Sequence, residues 1–202
     1  MPTPGSEPAN ILVVCTGNIC RSPYMQFTLT AALAAAGVDD IVVASAGTHA
    51  VPDSGVAPHM AALLRAEGLD VDGYATRQLT AAMVADADIV LTAERAHRKQ
   101  VVLLDPRALG RTFTLLQFSR LLPVATTSGR HRAEQSAKTR LKTLIERCIA
   151  ARGTVGPGGS GDDVADPWGF APDAYRRSAD QMRPALHTVA DALVPRGIGS
   201  II

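Results

Sequence analysis

Residues 11–23 run Ile11-Leu12-Val13-Val14-Cys15-Thr16-Gly17-Asn18-Ile19-Cys20-Arg21-Ser22-Pro23, and the larger features of the chain can be placed from them. The first four are apolar and largely β-branched, as in a parallel strand buried on both faces. From Ser22 to Ala36, Met25, Leu29 and Leu33 recur four apart and Gly37 stops the run, which predicts a helix. The turn between them leaves the carboxyl end of a strand and enters a helix, the edge at which open parallel sheets bind ligands. Its successive backbone N–H groups, with a helix N-terminus behind them, suit an oxyanion. Gly17 allows close approach or positive φ, Asn18 tolerates the left-handed region, and Arg21 adds a planar fork for two phosphate oxygens. The nucleotide-binding pattern GxxxxGK[ST] is absent. Cys15 stands in its place. Groups that hold a dianion also stabilise a thiolate, and a thiolate beneath a bound phosphate is an in-line nucleophile.

Outward from this turn, strand and helix alternate. Ile41 to Ala44 reads as a second strand, and Met60, Leu63 and Leu64 as a helix that Gly68 ends. Asp88 to Thr92 reads as a third strand, Glu94 to Leu104 as a helix, and Phe113 to Leu116 as a short fourth strand. The alternation predicts an α/β fold, a parallel sheet with helices on both faces. In the last third, Leu141, Leu144, Ile145, Cys148 and Ile149 form a helical stripe, as do Met182, Leu186, Val189 and Leu193. Cys148 reads as a small core residue. We expect a flexible tail over 1–10, one domain over 11–195 with a long loop and helix insertion near 119–165, and a C-terminal tail over 196–202. The basic, polar stretch 128–140 reads as a solvated loop running into a helix.

The composition narrows the function classes. Of 202 residues, 47% are hydrophobic and 19% charged, with net charge +1, so no global field calls for nucleic acid or an anionic membrane. No apolar run approaches the roughly 18 residues of a membrane span. The start, MPTPGSEPAN, lacks the order of a signal peptide. Three cysteines make a secreted disulfide scaffold an unsuitable reading, and neither they nor the five scattered histidines show a metal-site spacing. The expectation is a cytoplasmic protein with no metal and no cofactor.

Phosphoryl transfer to sulfur needs a proton for the leaving oxygen. Asp105-Pro106 and Asp166-Pro167 offer a carboxyl group each. Asp105 ends a helix and reads as a turn former. Asp166 lies in a Gly-rich loop beside Trp168, where it can swing over a pocket while the aromatic walls the site. Asp162 and Asp163 stay as competitors.

At these residues the chain resembles the low-molecular-weight protein tyrosine phosphatases of bacterial type: VCTGNICRSP near the start, Ser45-Ala46-Gly47-Thr48 after the second strand, Arg77-Gln78 before the third, and Asp166-Pro167-Trp168 near the end. The resemblance implies a four-stranded parallel sheet in a Rossmann-like phosphatase fold, and hydrolysis of phosphotyrosine through a cysteinyl-phosphate. It makes Cys15 the nucleophile, Arg21 the phosphate binder, and Asp166 the general acid and then base. Substrate binding falls to Thr16, Gly17, Asn18, Ile19, Cys20, Arg21, Ser22 and Trp168, with Asn18, Ser22 and Ser45 in support. Tyr74 replaces the His that members often carry four residues before the Gln of the Arg-Gln pair. Cys20 matches a loop cysteine that pairs reversibly with Cys15 on oxidation. His49 to Pro52 lacks the aromatic of eukaryotic-like members and is similar to members acting on tyrosine kinases of polysaccharide export. Ile19 stands where members resembling protein arginine phosphatases have Thr. The alternatives are an arsenate reductase, a protein arginine phosphatase and a non-catalytic phosphate-binding module.

Overall fold

The computed structural model describes residues 7–127 and 136–194. The outer parts of both expected tails and residues 128–135 of the basic stretch lie outside them. The first strand, β1 (Ala9–Cys15), begins two residues before the apolar run, because Ala9 N–H donates to Asp40 O at 2.9 Å. Ala9 and Asn10, expected in the tail, therefore belong to the sheet. β1 leads into α1 (Arg21–Ala35), then β2 (Ile41–Gly47), α2 (Pro58–Ala66), α3 (Ala81–Asp86), β3 (Ile89–Thr92) and α4 (Arg95–Leu104). After a 3₁₀ turn at Pro106–Arg111 come β4 (Thr112–Thr114), α5 (Leu115–Thr127), α6 (Ala137–Val155) and α7 (Pro172–Leu193).

The sheet has four parallel strands in the order β2-β1-β3-β4. Both faces are covered, which is why β1 is a continuous apolar run. Ile11 and Val13 enter the larger core with α1, α5, α6 and α7, while Leu12 and Val14 enter the smaller one with Val84 of α3 and Val101 of α4. β3 divides in the same way, Ile89 and Leu91 to one side and Val90 to the other. The strand period of two thus sets the allocation of side chains between the two layers.

The structure departs from the sequence reading at three further places. The fourth strand stops at Thr114, since Thr114 Oγ1 accepts Gln117 N–H at 3.1 Å and caps a helix. That helix, α5, buries Leu115, Phe118, Leu121, Leu122 and Ala125 on one face, so the start of the presumed insertion is a packed element touching α6 and α7. The second correction is Ile149, which is exposed rather than on the buried stripe. Eight residues from Leu141 put it about 80° around the helix, at the edge of the apolar face. Lastly, α3 is a short helix with only Val84 buried, capped by Thr80 Oγ1, and its weak apolar pattern gave no helix reading. No helix of the described residues is long and apolar enough to cross a membrane.

Candidate active site

The turn over 15–21 is held from its outer side. Cys15 O accepts Thr48 N–H at 2.9 Å, Thr16 O accepts His49 N–H at 2.9 Å, Gly17 O accepts Val51 N–H at 3.0 Å and Ile19 O accepts Ala57 N–H at 2.8 Å. Tyr74 Oη donates to Asn18 O at 3.0 Å. A trans peptide points its N–H opposite to its C=O. Tying five carbonyls outward therefore turns the amides of residues 16–20 inward, and those amides donate to nothing else among the described residues. Gly47, paired with Cys15 in the sheet, makes the close approach possible: a Cβ there would lie 2.5 Å from Thr16 O.

Asn18 fixes the turn's shape. It takes φ +56°, the one left-handed residue in the turn, while Gly17 does not use positive φ. Its Oδ1 accepts the Arg77 backbone N–H at 2.8 Å, which fixes the amide's orientation. Nδ2 then donates to Ser22 Oγ at 2.9 Å and to Ser45 Oγ at 3.0 Å. Because Ser22 Oγ already accepts from Asn18, its own proton is free to donate to Cys15 Sγ, 2.9 Å away. Tyr74 Oη is also 2.9 Å from Ser45 Oγ, so it joins the hydrogen-bond network around Asn18 and Ser45.

Arg21 is buried, with about 1% of its surface exposed. Nη1 donates to Glu94 and to Val164 O, and Nη2 donates to Asp166 Oδ2 at 2.7 Å and Thr16 Oγ1 at 3.4 Å. Nε is buried without a partner among the described residues. A pocket of about 160 Å³ opens above it, lined by Cys15, Thr16, Gly17, Ile19, Cys20, Arg21, His49, Val51, Asp166 and Trp168. Asn18 and Ser22, expected among the binding residues, lie fully buried outside that lining and act from below. A larger groove of about 690 Å³ near Asp88, Asp105 and Lys138 contains none of this chemistry.

The four candidate carboxylates separate cleanly. Asp166 faces the pocket. Asp105 caps the 3₁₀ turn, accepting from Arg107 N and Nε, and that contact holds its carboxyl below the usual range. Asp162 is paired with Arg120 and Asp163 with Arg95. The loop expected to swing is therefore pinned ahead of Asp166. Val164 N–H donates to Ala93 O, and Gln181 bridges Asp163 O and Ala165 N. Burial pushes the Cys20 thiol up to about 12, aided by the nearby Cys15 and Asp166. Cys148 is buried in the core, where burial pushes its thiol up to about 12 as well, which does not fit the resolving cysteine of an arsenate reductase.

Sequence reasoning missed Glu94, His97 and His49. Glu94 and His97 lie three apart just past β3, whose carboxyl end neighbours that of β1. Polar residues at helical spacing on that edge were the available signal. His97 Nε2 lies 2.8 Å from Thr16 Oγ1. Among the described residues no group of three or more His, Cys, Asp and Glu is placed to hold a metal ion.

A model of the family "Low molecular weight phosphotyrosine protein phosphatase" matches residues 10–123. The chain is 33% identical over 138 residues to the low molecular weight protein-tyrosine-phosphatase Etp of Escherichia coli K12, spanning 68% of this chain and 88% of that one. It is 27% identical over 186 residues to the protein-arginine-phosphatase of Geobacillus stearothermophilus, spanning 92% and 97%. The solved structure of the Erwinia amylovora tyrosine phosphatase AmsI superposes with TM-score 0.65 at 24% identity, over 94% of this chain and 96% of that one, a likeness of fold.

Proposed function

The chain belongs to the low molecular weight phosphotyrosine protein phosphatase family, and from that premise we infer that it hydrolyses phosphotyrosine on proteins through a cysteinyl-phosphate at Cys15. The observation that carries the reading is the buried, unpartnered Nε of Arg21, a residue that lines one pocket with Cys15 and the turn. Amides and guanidinium hold the non-bridging phosphate oxygens, and these donors are in place before the charge of the transition state develops. An arriving phosphate takes over Arg21 Nη2 and so releases Asp166 Oδ2 to face the leaving oxygen.

In the first step the Cys15 thiolate forms the S–P bond, the P–O bond to the phenol breaks, and protonated Asp166 gives its proton to that oxygen. In the second step Asp166 takes a proton from water, which attacks phosphorus and expels the thiolate. Ser22 O–H supports the thiolate at both ends of the cycle. Ile19, Val51 and Trp168 supply apolar walls suited to a phenyl ring. The protein substrate we propose is a cytoplasmic phosphotyrosine protein, of which a bacterial tyrosine kinase of polysaccharide export is an instance, on the resemblance at residues 49–52.

Protein arginine phosphatase is the second reading, favoured by the near full-length match to the Geobacillus relative. Apolar Ile19 in the pocket lining weighs against it. The test is paired: one peptide carrying phosphotyrosine and one carrying phosphoarginine, at equal concentration. Faster release of phosphate from the phosphotyrosine peptide is expected. Selective release from phosphoarginine overturns the reading, and Cys15→Ser must abolish turnover while leaving inorganic phosphate binding measurable.

A further inference from the structure

His97 takes no part in the chemistry above, yet it is buried on α4, one turn beyond Glu94, with Nε2 against Thr16 Oγ1. Its other ring nitrogen, Nδ1, is buried without a hydrogen-bond partner among the described residues. A neutral imidazole carries one N–H and one lone pair. A buried N–H without an acceptor is rarer than a buried acceptor without a donor. The proton therefore belongs on Nε2, and Nε2–H donates to Thr16 Oγ1. Arg21 Nη2 also reaches that oxygen, at 3.4 Å. With both lone pairs engaged, the Thr16 hydroxyl keeps only its own proton to give. Thr16 lines the pocket.

We propose that His97 is a positioning residue that turns the Thr16 hydroxyl into a donor for the bound oxyanion, making that side chain a further phosphate-binding group beside the backbone amides. The same contact joins α4 to the turn at the residue next to the nucleophile. The charged groups facing the imidazole are Arg21, Glu94, Asp166 and Asp163. Burial and the Arg21 charge outweigh the three carboxylates and hold His97 neutral, pushed down to about 4.

The proposal rests on the phosphatase reading only for the identity of the oxyanion, and its tests read binding and tautomer without turnover. In the full chain labelled with ¹⁵N-histidine, long-range proton–nitrogen correlation at neutral pH should show His97 as the Nε2–H tautomer. The Nδ1–H tautomer or an imidazolium overturns the proposal. By calorimetry with inorganic phosphate, Thr16→Val and His97→Phe should each weaken binding about tenfold, the double variant no more than either alone, and His97→Gln, whose amide N–H replaces Nε2–H, should stay within about twofold. Thr16→Val binding phosphate like the wild type, or additive losses in the double variant, also overturns it. His97→Phe could fail to fold, but Thr16→Val and the tautomer do not depend on it. Normal tautomer and phosphate binding without hydrolysis of either phosphopeptide would sink the functional reading and leave this one standing.

Discussion

Asn18 combines a left-handed backbone with a side-chain amide whose oxygen and both N–H groups are used. Replacing it with Ala strands the Arg77 N–H and leaves a side chain with no polar group in a strained conformation. We expect a loss of about 2 kcal/mol or more in stability together with most of the activity, read by denaturant melts and aryl phosphate turnover. Gly47→Ala should be at least as damaging, because the obstacle is backbone, 2.5 Å from the new Cβ, and cannot rotate away. Near wild-type melting of Gly47→Ala would show that the turn relaxes more easily than its contacts imply. The two loop cysteines differ in kind. Cys20 stays a thiol at neutral pH because burial pushes it up to about 12, so peroxide should meet Cys15 first. The resulting Cys15 sulfenic acid condenses with the Cys20 thiol, forming a disulfide and releasing water. Mass spectrometry after mild peroxide should find that bond, reversed by thiol reductant. Sulfinic Cys15 with free Cys20 would refute the pairing.

At the level of elements, the segment joining α6 to α7 carries Asp166, the proton donor we propose, on a pinned frame. Asp166→Ala should reduce hydrolysis of phenyl phosphate by roughly 10²–10⁴-fold and cost much less with a highly acidic phenol. Asp163→Ala frees one anchor, to Arg95, and should lower both rates by a similar, smaller factor. Asp105→Ala should change melting and leave the leaving-group dependence alone, since Asp105 caps a turn and is not in the pocket lining. Equal losses for good and poor leaving groups in Asp166→Ala would move the proton donor elsewhere. Much of this architecture was legible beforehand. Continuous apolar runs at β1 and β3 reveal strands buried on both faces, and the Cys15-to-Ser22 turn reveals its chemistry through residue type. The α5 helix was not legible, because Leu115 and Leu116 extend the apolar run of β4 and only the Thr114 cap separates them. Glu94 and His97 were hidden for another reason: their polar spacing past β3 is a local signal, but their partners in the turn come only from the adjacency of β1 and β3.

For the whole molecule, His97 couples stability to pH. Its imidazole is held down to about 4 in the folded chain against an ordinary 6.5, mainly by burial and then by the Arg21 charge. Above 6.5 both states are neutral and the group has no effect. Between 6.5 and about 4 the unfolded chain takes up a proton that the folded one refuses, so stability falls as the medium becomes more acidic, by up to about 3 kcal/mol, and levels off below. Denaturant titrations across that range should show this slope in the wild type and lose it in His97→Gln. The outward tethering of the turn's carbonyls has a different consequence. The conformational entropy of the cradle is lost when β1, β2 and the 48–57 segment come together, so little remains to be lost on ligand arrival. Occupancy should then appear in hydrogen–deuterium exchange as slowing confined to the amides of residues 16–20, with the tethering amides of Thr48, His49, Val51 and Ala57 already slow and unchanged.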